Sequence, residues 1–168
     1  MKKSTKFILT TAWIIFSRSY DAFCTNQLTP DLSKESNPLV SVLGFGWTPL
    51  LLTLIVLTCY CIYVYYKSLF KPITIFPQEQ GYGFKEFVVY LYLGRKDSIT
   101  AVFYKFPKEL KRFHQYMGET LTLCLSFSGI VSTLMWLLIN YTSYYKAYHS
   151  AAFIYFILLL GNGILIYF

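Results

Sequence analysis

The segment from Trp47 to Phe70 constrains this chain more than any other. It runs 24 residues without an acidic group and is centred on Leu50-Leu51-Leu52-Thr53-Leu54-Ile55-Val56-Leu57. A helix needs about 20 mainly apolar residues to cross the hydrocarbon core of a bilayer, and this segment meets that requirement. Tyr60, Tyr63, Tyr65 and Tyr66 gather toward the end that meets Lys67 and Lys71, as an interfacial aromatic belt does. Residues 7–28, 119–141 and 148–168 approach the same length. Composition agrees: the 168 residues are 55% hydrophobic, 20% aromatic and only 14% charged, where soluble domains carry about 25% charged residues. Disorder is excluded and a water-soluble domain is disfavoured. The expected fold is an all-α membrane protein, one integral domain over residues 1–168 with four transmembrane helices.

The placement of charge orients those helices. Lys2, Lys3 and Lys6 stand at the start, nine basic residues run from Lys67 to Arg112, and only Lys34 and Lys146 fall in the other two connections. Lys and Arg near span ends are retained on the cytoplasmic side, so both termini and the loop 71–117 are expected inside. The net charge of +7 then serves topology and anionic lipid, with Lys108, Lys111 and Arg112 as headgroup contacts. No basic-aromatic motif accompanies it, so nucleic acid is not an expected partner. With the last expected span reaching Phe168 and no polar tail after it, any catalytic or regulatory domain is expected elsewhere. An alternative concerns the first segment. Three lysines followed by the mainly apolar stretch Phe7 to Phe16, with Ser17 and Ser19 near its end, also suit a cleaved signal peptide, which would leave three spans without inverting them.

The connections carry their own signals. Asn37 before Pro38 marks a helix start, an N-cap followed by a residue whose missing N–H is not needed there. Interruption of that helix is expected near Gly44, Gly46 or Pro49. In the inner loop, Phe84 to Leu93 and Ser98 to Phe106 flank the turn-forming Gly94-Arg95-Lys96-Asp97, and both arms are rich in Val, Ile, Tyr, Phe and Thr. That pattern predicts a β-hairpin against the membrane surface, with an amphipathic interfacial helix as the rival. Lys108 to His114 reads as a short amphipathic helix leading into the third span. Ser126, Gly129 and Ser132 form a small face on that span, and Gly161-Asn162-Gly163 a small site in the last, so these two spans are expected to pack through those surfaces.

The residues that invite a functional reading are polar. Arg18 and Asp21 lie three apart on one helix face, and Asp21 and Thr25 one turn apart. An isolated charge near a span centre costs about 2.5–3.5 kcal/mol, whereas each large apolar residue returns only about 0.3–0.6. The first segment therefore inserts marginally unless its charges are shallow, mutually neutralised or turned toward other helices. Glu35 and Asn37 follow at the entry to the next span and are expected to fold back beside Asp21 and Thr25. This spacing, Asp-x-x-x-Thr and then Glu-x-Asn-Pro, resembles an uncharacterised prokaryotic family of small multi-pass membrane proteins, over about residues 7–60 by motif and beyond that by span layout. The resemblance implies a small helical bundle and no particular activity.

Two readings of Arg18, Asp21, Thr25, Glu35 and Asn37 stay open: a structural clasp between the first two spans, or an outward-facing site for a proton, cation or polar headgroup. No catalytic residue, metal ligand or cofactor is expected. Cys24, Cys59, Cys61 and Cys124 lack ligand spacing and read as small hydrophobes, while His114 and His149 have no second histidine nearby and read as interfacial polar residues. Asn140-Tyr141-Thr142 matches a glycosylation acceptor but sits too near the bilayer for use. The leading expectation is a non-enzymatic polytopic membrane protein that binds a partner protein or lipid, either alone or as a homo-oligomer. The alternative is a small oligomeric transporter or channel subunit using the polar cluster. A lipid-acting enzyme trails both, since no acid–base pair is evident.

Overall fold

The computed structural model describes residues 2–77, 81–106 and 110–167. Regular structure among the described residues is entirely helical: α1 (Lys3–Leu28), α2 (Pro38–Ser41), α3 (Trp47–Phe70), α4 (Phe84–Leu93), α5 (Ala101–Tyr104), α6 (Lys111–Tyr141), α7 (Ser143–Tyr148) and α8 (Ala151–Tyr167). Two of them, α3 and α6, are long and apolar enough to cross a membrane, and only 17% and 28% of their most apolar stretches are buried. Buried core helices of a soluble protein would show the reverse. α1 has the length, 26 residues or about 39 Å at 1.5 Å per residue, but carries Lys3, Lys6, Arg18 and Asp21. α8 is apolar apart from Asn162 and shorter, at 17 residues.

The expected β-hairpin is not present. Phe84 to Leu93 is α4, and within the second arm Ala101 to Tyr104 form α5. End chemistry decides this against the β-prone composition. Glu86 Oε2 accepts the Gly83 backbone N–H at 3.0 Å, satisfying a donor at the helix start. Gly94, at φ +74°, terminates the helix in the left-handed region and donates its N–H to Tyr90. The tetrad read as a hairpin turn is thus a helix C-cap and exit. Val89 and Leu91 of α4 are buried. Of the short helix expected over Lys108 to His114, residues 111–114 are the start of α6, which is unbroken from Lys111 to Tyr141, while Lys108 and Glu109 lie outside the described residues.

The chain divides into two compact units, Met1–Tyr60 with Leu123–Phe168, and Cys61–Thr122. In the first, a core of Cys24, Trp136 and Ile139, flanked by Tyr20, Met135 and Tyr145, joins α1 to α6. In the second, Gln115 Nε2 donates to the Ser68 carbonyl at 3.2 Å, and Gly118 lies so close to α3 that a Cβ there would strike the Val64 carbonyl. Residue numbers along α3 rise as those along α6 fall, so these helices run antiparallel. Tyr92 packs edge-on against Phe113 at 5.8 Å, and the Arg112 guanidinium lies over the Tyr90 ring at 5.1 Å, holding α4 to the start of α6.

Candidate functional site

Arg18 and Asp21 are the two charges that α1 carries midway along its length, and α6 supplies partners for both. Trp136 Nε1 donates to Asp21 Oδ1 at 2.7 Å. Arg18 Nη2 donates to Ser132 Oγ at 3.1 Å, and its Nη1 stands 3.9 Å from Asp21 Oδ2. One turn toward the start of α1, Trp13 Nε1 donates to the Ser126 carbonyl at 3.2 Å. Ser17 is fully buried where Gly129 leaves room for it. At the other end Asn140 Nδ2 reaches Cys24 Sγ at 3.9 Å.

The register is regular: Trp13 meets Ser126, Ser17 meets Gly129, Arg18 meets Ser132, Asp21 meets Trp136 and Cys24 meets Asn140. Positions three and four apart on a helix share a face, so a single stripe of α6 receives a single stripe of α1. Both sets of numbers rise together, and the two helices are therefore parallel. This corrects the expectation that Ser126, Gly129 and Ser132 face the last span; they face α1. The physical reason is demand. α1 holds a guanidinium, a carboxylate and an indole N–H that need partners, and small residues on α6 let its backbone come near enough to provide them. α8 meets α6 on other residues: Asn162 Nδ2 donates to Ser128 Oγ at 3.1 Å, and Gly161 abuts the Phe127 ring.

Glu35 and Asn37 do not fold back onto this cluster. Glu35 Oε1 accepts the Asn37 backbone N–H at 2.8 Å, and Asn37 Oδ1 accepts that of Leu39 at 3.0 Å, forming the expected N-cap of α2. Among the described residues, no hydrogen bond or ion pair joins either to Arg18, Asp21 or Thr25. The α1–α2 connection satisfies itself similarly. Asp31 Oδ1 accepts from the Ser33 N–H at 3.1 Å, the Ser33 hydroxyl at 2.8 Å and the Thr29 hydroxyl at 3.3 Å, and these bonds, those from Ser33 foremost, hold its carboxyl below the usual range. Trp47 Nε1 closes this connection onto the Pro30 carbonyl at 2.7 Å. Thr25 is buried, and its carbonyl accepts the Thr29 N–H at the end of α1.

The expected five-residue cluster separates into a charged clasp of Arg18 and Asp21 that packs against α6 and a capping pair of Glu35 and Asn37, with Thr25 at the end of α1. Trp13, Ser132 and Trp136 complete the site, and none of them is singled out for it by the sequence. The stripe Ser126, Gly129, Ser132, Trp136, Asn140 was its visible signal. Of the expected headgroup contacts, Lys111 is exposed at the start of α6, Arg112 is drawn onto Tyr90, and Lys108 lies outside the described residues. Among the described residues there is no group of three His, Cys, Asp or Glu able to hold a metal, and the four cysteines are free.

The arrangement joins two helices, and most of its donors and acceptors are used in doing so. No protein-family model, curated protein or solved structure matches the chain.

Proposed function

We propose that this chain is a non-enzymatic, polytopic protein of a bacterial cell membrane that acts by binding a partner protein or lipid. In this reading α1, α3, α6 and α8 all span, both termini and residues 71–117 are cytoplasmic, and Arg18, Asp21, Ser132 and Trp136 form the clasp that lets α1 remain in lipid. The observation that carries it is the parallel register of α1 on α6, which gives Arg18 and Asp21, the charges within the apolar length of α1, their partners. Large apolar side chains including Ile15, Phe16, Ile55, Val56, Leu134 and Leu159 point outward while Ser17, Ser132 and Thr122 are buried, the distribution lipid favours.

Two further facts agree with this orientation. Each of three helices carries its cations at one end: α1 begins with Lys3 and Lys6, α6 with Lys111 and Arg112, and α3 ends at Lys67 with Lys71 just beyond it. Cations at a helix N-terminus oppose the macrodipole by about 0.3–1 kcal/mol at exposed sites, so helix stability does not explain Lys3, Lys6, Lys111 and Arg112. A headgroup layer on one side of the membrane does. The prokaryotic small multi-pass family suggested by Asp21, Thr25, Glu35 and Asn37 belongs to this proposal.

The test is membrane yield and thermal unfolding in detergent for Asp21→Ala, Arg18→Ala and the double variant. A clasp predicts that each single change lowers both and that the double loses less than the sum. Normal singles accompanied by a lost biological phenotype would move the cluster from architecture to ligand binding.

A second reading, a small oligomeric transporter or channel subunit, has one observation in its favour. Arg18 Nε and Asn162 Oδ1 are buried without a hydrogen-bond partner, an arrangement that polar solutes could complete. Solute or ion flux through reconstituted protein, abolished by Arg18→Gln, would favour it. A reconstituted monomer that passes nothing would dismiss it.

A further inference from the structure

We propose that the aromatic corner formed by Phe103, Tyr104 and Phe106 is a membrane-interface anchor, seated at the headgroup–acyl boundary of the anionic leaflet that the basic ends of α3 and α6 face. The inference rests on the membrane reading above and assigns one surface, with one occupant, within it. α5 is turned the opposite way to a short helix of a water-soluble domain. Its small residue, Ala101, is fully buried, while Phe103, Tyr104 and Phe106 are 88%, 65% and 93% exposed. Ile99 and Leu110, each 40% exposed, flank them.

The corner is held out rather than left loose. Lys105 Nζ bonds Asp97 Oδ2 at 2.8 Å and lies over the Tyr104 ring at 5.5 Å, while Asp97 also takes Arg95 Nε at 3.4 Å and the Ser98 N–H at 2.9 Å. The Lys105 backbone N–H bonds Ala101 and closes the turn. Three large rings are therefore presented outward by a tied frame in which the lysine between them is already occupied.

Charge and chain length choose what covers them. Residues 61–122 carry nine basic against five acidic side chains, which suits an anionic surface and opposes a basic partner. Phe106 is five residues before Lys111, the first residue of α6, and five residues reach at most about 18 Å. The corner cannot leave the neighbourhood of the headgroup layer in which α6 begins. Aromatic rings are enriched at that layer because one part of it is apolar and the other wet.

The experiment uses the full chain in vesicles of phosphatidylcholine and phosphatidylglycerol, with the four native cysteines replaced by alanine and a nitroxide on Phe106→Cys. Phe103→Cys serves as a second site and Leu52→Cys on α3 as the reference. Collision with oxygen, which partitions into lipid, should exceed collision with an aqueous nickel chelate several-fold at residues 103 and 106, and fall toward aqueous values when phosphatidylglycerol is omitted. Aqueous values at both sites in either vesicle, with Leu52 still in lipid, would overturn the anchor and leave the membrane reading standing. So would spin–spin broadening between copies, which would make the corner a self-association surface, and an unchanged depth without anionic lipid would remove its charge selectivity. Aqueous values at Leu52 as well would sink the membrane reading itself.

Discussion

Asp21 is the residue on which the clasp turns, because it accepts from Trp136 and faces Arg18 at once. Trp136→Phe removes one donor and keeps the ring. Interhelical hydrogen bonds in membranes average about 0.6 kcal/mol and reach about 1.7, so a loss in that range is expected in detergent unfolding. Asp21→Ala should cost more, since with α1 spanning as proposed an unneutralised Arg18 carries about 2.5–3.5 kcal/mol on insertion scales. Equal losses for the two variants would argue against a charge role. Glycine offers a sharper comparison. A Cβ at Gly129 would lie 2.5 Å from Ser17 Oγ, whereas one at Gly163 meets nothing within 4 Å. Gly129→Ala should destabilise by about 1–3 kcal/mol through overpacking, and Gly163→Ala should be neutral or stabilising by up to about 1. The same measurement on both reports directly whether α1 packs on that face of α6. Arg18 and Asp21 were legible in the sequence as charges needing partners. Which partners was not, because Ser132 and Trp136 stand more than a hundred positions away and nothing local in α6 distinguishes a face toward α1 from a face toward α8.

At the scale of elements, local chemistry predicted some boundaries and missed others for identifiable reasons. Asn37-Pro38 announced α2, and Asn37→Ala should remove its cap at a cost of about 1 kcal/mol, seen as faster hydrogen exchange at the Leu39 amide. α3 runs from Trp47 to Phe70, the bounds that its apolar run predicts. α4 was read as a hairpin arm because Val88, Val89, Tyr90 and Tyr92 favour strands on average, yet strand preference depends strongly on context. Gly83, Glu86 and Gly94 were the outweighed helix signals. The carboxyls of this region make its acid behaviour predictable. Glu86 is held below its ordinary value by the Gly83 N–H and then by Lys96, and Asp97 by Lys105 and then by the Ser98 N–H. A carboxyl depressed in the folded state adds stability that is present above its unfolded value and is lost as pH falls through the folded one. The first turn of α4 and the α4–α5 connection should therefore be insensitive to pH near neutrality and open in acid, measured by amide exchange. Lys105→Met should move the Asp97 titration upward; an unmoved titration would disprove the assigned cause.

For the whole molecule, the decisive prediction is sidedness. In a background lacking the native cysteines, single cysteines at Lys6 and Lys96 should react with an impermeant thiol reagent from one side of the membrane, and those at Lys34 and Lys146 from the other. Labelling of all four from one side would refute four spans, and loss of residues 1–19 from the mature protein would establish the signal-peptide alternative. α1 is the element most exposed to this test, since its charges keep it outside the apolar class that α3 and α6 occupy.

The apolar runs of α3 and α6 and the start of α2 can be read from local sequence, because hydropathy and capping act over a few residues or a single helix. That Glu35 and Asn37 serve their own turn, that residues 84–93 and 101–104 are helical, and that α6 gives its small face to α1 emerges in the folded chain alone. Those outcomes depend on which distant groups satisfy a buried donor or charge, and in lipid that pairing, rather than apolar burial, selects one helix neighbour over another.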